Sequence, residues 1–203
     1  MKKYNMKPVS FHEGEIDFML AKTAPMNEYL WLPKTDIYPE ARLLYDEKAI
    51  YVRLEAREAD IRAEYHGDYD MVCEDSCLEF FFCPGTEDSR YFDMEINPNG
   101  SYYLGFGPNS QESVRILVPE GKKLFDIKTC RIPGGWAAEF QIPVKFVQIF
   151  YPAFKIVKGM EIRANFYKCG DLTNTPHYIA WNDVNSDIPD FGMPEFFGTL
   201  VFA

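Results

Sequence analysis

From residue 40 onward the chain alternates apolar and polar residues in short runs, and this period of two narrows its fold more than any other feature. Ile50, Val52, Leu54 and Ala56 share one side of a run whose other side carries Tyr51, Arg53, Glu55 and Arg57. Trp136, Ala138, Phe140 and Ile142 alternate with Ala137, Glu139 and Gln141, and Ile162, Ala164 and Phe166 with Arg163, Asn165 and Tyr167. Successive side chains of an extended chain point to opposite faces, so such runs are strands with one face buried. Asp46-Glu47-Lys48, Asn97-Pro98-Asn99-Gly100 and Pro133-Gly134-Gly135 punctuate them as turns. Strands are expected at Ala41–Tyr45, Ala49–Arg57, Cys77–Cys83, Arg90–Asn97, Tyr102–Phe106, Ser113–Val118, Leu124–Arg131, Trp136–Ile142, Glu161–Lys168, His177–Trp181 and Phe197–Phe202. The one modest helix candidate is Val144–Ile149, after Pro143. About ten short strands with very little helix between them imply an all-β fold, an antiparallel, jelly-roll-like β-sandwich. The whole chain, 1–203, reads as a single domain, with residues 1–38 an irregular lead-in packed on it that has room for one short strand or helical turn.

A chain of 203 residues, 47% hydrophobic, buries a core without help from disulfides or metal. Its net charge of −10 and lack of any basic cluster argue against a nucleic-acid partner, because phosphates need a positive face. No stretch approaches the ~20 apolar residues of a membrane helix, so no membrane partner is expected. No apolar run follows the lysines near Met1, so residues 1–14 do not read as a signal peptide. The chain as it stands is expected to be cytoplasmic, or extracellular if a leader has been removed. Cys73, Cys77, Cys83, Cys130 and Cys169 are odd in number and form no C-x-x-C pair. They are expected to be free thiols rather than zinc ligands.

The candidate chemistry centres on Glu74-Asp75-Ser76-Cys77-Leu78-Glu79-Phe80-Phe81-Phe82-Cys83. Strands disfavour a carboxylate in their interior, so Glu79 faces water or has a partner that needs it. Phosphate loops, nucleophile elbows and H-E-x-x-H motifs are absent. The histidines at 12, 66 and 177 have no ligand spacing. Asp75 with Glu79, and Asp93 with Glu95, are acid pairs that suit glycoside hydrolysis, calcium or the hydroxyls of a neutral sugar. Of the three tryptophans, Trp31, Trp136 and Trp181, the second alternates in phase with core residues, while Trp181 ends a strand before a polar loop. Phe191 lies between prolines and glycines, and aromatic faces beside acids are what a sugar site needs.

Several segments in order carry a resemblance. They are Ile50-Tyr51-Val52, Glu74 to Phe81, Tyr91-Phe92 with Asn97-Pro98-Asn99-Gly100, and Gly135 to Pro143. Asn165 to Asp171, Ala180-Trp181 and Pro189 to Gly198 follow. From about residue 13 to the C-terminus the chain resembles the family 9 carbohydrate-binding modules, in particular their stand-alone, family 9-like branch. The resemblance implies a β-sandwich without catalysis of its own that binds a sugar or oligosaccharide, of the kind found in xylan and cellulose. Modules attached to xylanases clamp the sugar between two tryptophans and hydrogen-bond it with a strand glutamate. Carried across, the glutamate is Glu79, the first tryptophan falls near Val72 and is absent, and the second falls on Phe191. The branch often has His where this chain has Gly192. The resemblance requires no cofactor and allows a structural calcium, whose ligands it does not map.

The ligand-binding residues expected are Glu79, Asp75, Phe191 and Trp181, with Arg62, Asn165 and Lys168 at the rim and a carbohydrate as partner. No catalytic residue is expected, and oligomeric state is left open. Three other readings stand beside this one. A glycoside-processing enzyme would use two of Asp75, Glu79, Asp93 and Glu95. A haem protein would use Met71, Met94 or His66. A degenerate family member would use the same face for protein contacts.

Overall fold

The computed structural model describes residues 1–85 and 88–203. Eleven strands of three or more residues are found among them. They are β1 (Lys3–Pro8), β2 (Tyr38–Tyr45), β3 (Ala49–Arg57), β4 (Cys77–Cys83), β5 (Tyr91–Ile96), β6 (Tyr102–Gly107), β7 (Lys128–Ile132), β8 (Gly135–Pro143), β9 (Glu161–Cys169), β10 (Tyr178–Ala180) and β11 (Gly198–Phe202). Two short helices, α1 (Gly121–Leu124) and α2 (Val144–Phe150), interrupt them. One sheet runs in the order β6-β5-β4-β9-β11-β1 and the other β1-β2-β3-β8-β7, with β10 paired to the end of β9.

The two sheets bury one core between them, as the alternation requires. Leu78, Phe80 and Phe82 of β4 and Phe92, Met94 and Ile96 of β5 face Val52, Leu54 and Ala56 of β3 and Trp136, Ala138 and Phe140 of β8. Phe80 stacks on Phe82 (5.0 Å between centroids) and Phe166 (5.4 Å), and reaches across to Phe140 (6.4 Å). Burying a side chain of this size contributes about 1.5–3 kcal/mol, so the phenylalanine layer is a large part of the drive to fold. The other face of β4 carries Cys77, Glu79, Phe81 and Cys83, and these are also buried. Covering segments make a second, smaller cluster there, with Phe81, Tyr91, Tyr167 and Phe197 at its centre. A strand buried on both faces needs no polar alternation, which accounts for the Phe80-Phe81-Phe82 run.

The structure corrects the expected fold in three places. The lead-in contains β1, which is an integral strand: it runs parallel to β11 through Lys3–Met6 and parallel to β2 through Lys7–Pro8. The sandwich is therefore mixed at this one strand and antiparallel elsewhere on the path. Leu124 ends α1 instead of opening a strand, because Lys123, Leu124 and Phe125 turn on the carbonyls of Glu120 and Gly121, and β7 begins only at Lys128. Of Ser113–Val118, Val114 and Arg115 pair with β6 and Ile116 N donates to Leu104 O (2.8 Å), so the strand is shorter than expected. The helix after Pro143 forms as expected.

Candidate functional site

The outward face of β4, β5, β6 and β9 is the floor of a cleft of about 460 Å³, within the usual range for small-ligand sites. Register places its acids. Glu79 of β4 lies opposite Glu95 of β5, which lies opposite Tyr103 of β6. Asp93, two residues from Glu95, lies between Phe81 and Gly105. The walls come from loops. Trp31, Tyr178 and Phe191 pack on one another on one side, with centroids 5.5–6.0 Å apart. Phe191 also lies flat on Tyr167, 4.1 Å away and within 10° of parallel, and the Tyr167 hydroxyl donates to the Phe191 carbonyl (3.2 Å). Trp31 is pinned by its indole N–H, which donates to Ser186 O (2.7 Å). Asp70, Met71 and Cys73 contribute to the rest of the rim, and Arg115 stands over the Tyr103 ring at 5.0 Å.

Glu79 is only 2% exposed, and the Cys169 thiol donates to its Oε1 (2.9 Å). Burial, then the neighbouring Glu95, raises its pKa well above the ordinary carboxyl range. Asp93 is raised for the same two reasons. Glu95 is pushed up to about 7 by burial and then by Asp171. Among the described residues, none of these three acids forms an ion pair. Asp93 Oδ1 is buried without a hydrogen-bond partner. The floor thus carries carboxyl groups that donate when protonated and accept when ionised, beside a wall of ring faces.

Two of the expected ligand residues, Glu79 and Phe191, line this cleft. The other five do not. Asp75 is fully buried and accepts from the backbone N–H groups of Glu64 and Tyr65 and from Asn97 Nδ2 (2.9–3.0 Å), while Arg62 pairs with it at 3.2 Å. Both hold the loop after β3 against the Asn97 turn. Trp181 is 4% exposed, packed on Phe166 in the core and over Gly198, where an added Cβ would fall 2.5 Å from its ring. Asn165 spends its amide on Tyr167, Phe166 and Asn182. Lys168 points into the interior, where it pairs with Glu58 (3.3 Å) and meets His177 Nε2 (2.8 Å). Asp75, Asn165 and Lys168 are already satisfied and buried, and Arg62, partly exposed, is engaged by Asp75 and Glu64.

The sequence reading missed Trp31, Tyr103, Tyr178 and Arg115. Trp31 sits at φ +56°, a left-handed conformation rare for a bulky residue, set between Leu30 and Leu32 in the lead-in. Gly192, where the family branch often has His, abuts the Tyr91 hydroxyl and Ser110 N, so no side chain fits there. The haem candidates do not converge: Met94 is in the core, whereas Met71 and His66 are exposed. Among the described residues, the group of three or more ligating side chains with donor atoms within 4.8 Å of one another is Cys77, Glu79 and Cys169. Two thiols and a carboxyl do not suit calcium, which takes about six to eight oxygens.

A β-sandwich with an aromatic-walled, carboxyl-floored cleft defines a carbohydrate-binding class of domain. The chain belongs to carbohydrate-binding family 9, whose sequence profile matches residues 6–202. Its structure is similar to that of a Bacteroides uniformis protein named as a candidate carbohydrate-binding protein, with TM-score 0.81, 25% identity, and coverage of 100% of this chain and 99% of that one. It is also similar in fold to a family 9 module of Caldicellulosiruptor kristjanssonii solved in complex with glucose (TM-score 0.71, 15% identity, 100% and 96% covered). The complex of such a module from that organism with cellotriose aligns likewise (0.71, 15%, 99% and 93%). No curated protein sequence matches the chain significantly.

Proposed function

We propose that this chain is a non-catalytic carbohydrate-binding domain whose site is the cleft over β4, β5 and β6. The carrying observation is Glu79: a buried carboxyl at the floor of an open cleft, within an aromatic-walled space, at the position where the family resemblance puts the sugar-binding glutamate. Phe191 and Trp31 offer ring faces to the C–H side of a pyranose, and Glu79 and Glu95 meet its hydroxyls. The glucose and cellotriose held by the similar C. kristjanssonii structures support a β-linked glucose oligomer as the first ligand to try. The family's tryptophan near Val72 is missing, and Val72 itself is fully buried. The aromatic surface is therefore concentrated on the Phe191 side.

Calorimetric titration with cello- and xylo-oligosaccharides tests this. Glu79→Gln is expected to weaken binding at least about tenfold, through loss of a buried carboxyl–hydroxyl hydrogen bond, with the fold retained. Phe191→Ala is expected to cost about as much through lost stacking. The proposal fails if no oligosaccharide binds, or if both variants bind as the parent does. A paired-carboxylate enzyme is less well supported. Glu79 and Glu95 stand side by side on one sheet face and Asp75 is locked to Arg62, whereas glycosidase carboxyls flank a scissile bond about 5–9.5 Å apart.

A further inference from the structure

The proposed sugar site gathers carboxyl groups with little cationic company, and a neutral sugar brings none. Its lining includes Glu79, Asp93, Glu95, Asp171 and Asp190, against Arg115 as the cationic side chain. Arg115 is exposed and stands over Tyr103. The Asp93 side chain is buried to about nine-tenths, lines the cleft, and has one oxygen with no partner. A buried acceptor of this kind destabilises the fold unless a ligand or water meets it. We propose that the ligand carries a protonated amine, and that the cleft prefers an amino-sugar oligomer to its neutral counterpart.

The geometry favours an organic cation over a metal ion. The described acids of the floor do not bring three oxygens within 4.8 Å of one another, the convergence an ion would exploit. They are instead spread along two strands, Glu79 opposite Glu95 and Asp93 opposite Phe81. An ammonium on a sugar ring has three donors that rotate about a nitrogen held in place by the ring and can satisfy acceptors distributed in this way. The aromatic wall beside them selects a ring over a flexible polyamine, because a flat apolar face gains contact only from a comparably broad one. Burial and mutual proximity keep protons on Glu79, Asp93 and Glu95, and an arriving cation offsets both, so that these carboxyls ionise and pair with it.

This inference rests on the carbohydrate-binding reading, and the test separates the two. A fully deacetylated glucosamine trimer, its N-acetylated counterpart and cellotriose are titrated under one buffer condition at two salt concentrations. The glucosamine trimer is expected to bind at least tenfold more tightly than cellotriose, and acetylation is expected to remove that advantage by removing the charge. The advantage shrinks at high salt, and Asp93→Asn lowers the ratio of the two affinities. Equal binding of glucosamine trimer and cellotriose overturns the inference while leaving sugar binding intact. An advantage that survives acetylation overturns it too, without recourse to any variant. Binding of none of the three overturns the inference, and with xylo-oligosaccharides silent as well it overturns both readings.

Discussion

Replacing Glu58 with alanine is expected to lower the stability of the domain by about 3–5 kcal/mol, the usual cost of stripping one partner from a buried ion pair. Glu58 lies just beyond β3 in one sheet and Lys168 on β9 in the other, and both are almost completely buried. Glu58 also accepts from Trp136 Nε1 (2.6 Å) and Ser76 Oγ (3.1 Å). Alanine therefore leaves an ammonium, an indole N–H and a hydroxyl short of a partner in the interior. His177 gives no relief: burial, then Lys168, pushes its pKa down to about 3, so it stays neutral beside the ammonium. Lys168→Met alone is expected to cost a similar amount, because it leaves the Glu58 charge buried. The pair Glu58→Leu with Lys168→Met should cost well under the sum, since no stranded charge remains. Urea denaturation of the four proteins measures this. A loss below about 1 kcal/mol for Glu58→Ala would sink the assignment of the pair as a structural joint.

The second large effect is a pH dependence of stability centred on the cleft. Glu95 has a folded-state pKa of about 7 against an ordinary 4.5, and the folded protein therefore holds its proton more tightly than the unfolded chain does. Its contribution is fully present below about pH 4.5 and is lost as pH rises to about 7, by roughly 3 kcal/mol at most. Glu79 and Asp93 are raised too and act in the same direction. His177 acts oppositely. Its folded pKa is depressed, so its contribution is present above about pH 6.5 and is lost as pH falls toward 3. The wild-type profile mixes these slopes. The informative quantity is the difference between wild type and Glu95→Gln, which should fall steadily in wild type's disfavour between pH 4.5 and 7. Thermal unfolding across that range reads it directly. A parallel pair of curves would show that Glu95 titrates normally.

Much of the fold is legible in the alternation of β3, β5, β8 and β9, because each has one face in the core and the other toward water or a thinner cover. What was hidden follows from the same physics. β1 has too few apolar residues to look like a strand, since only Tyr4 and Met6 are buried along it, and its pairing is set by distant neighbours. α1 carries no amphipathic signal in four residues. In the site, Glu79 stood out because an acid inside an aromatic strand is costly without a reason. Asp75 stood out equally and proved to be a loop anchor: sequence shows that a carboxylate is unusual but not which N–H groups surround it. Trp181 lies in the core and Trp31, to which the sequence assigns no role, lines the cleft, for a related reason. The strand position of the first puts it inward, whereas the second is carried into the cleft by a loop whose path no local pattern records.

The position of β1 also bears on the order in which the molecule is assembled. Lys3–Met6 lies against Thr199–Phe202, so this strand's main neighbour is made long after it. The sheet of β2, β3, β8 and β7 draws on residues 38–143 and can pair while synthesis continues, but the other sheet lacks β9 and β11 until late. Contacts of such long sequence separation slow folding, because the connecting chain must lose its freedom before they reward it. During translation β1 can meet β2 early through Lys7–Pro8, but its longer seam waits for β11. Pulsed hydrogen exchange during refolding should accordingly find the amides of β3 and β8 protected before those of β1, and protection of β1 first would contradict this order.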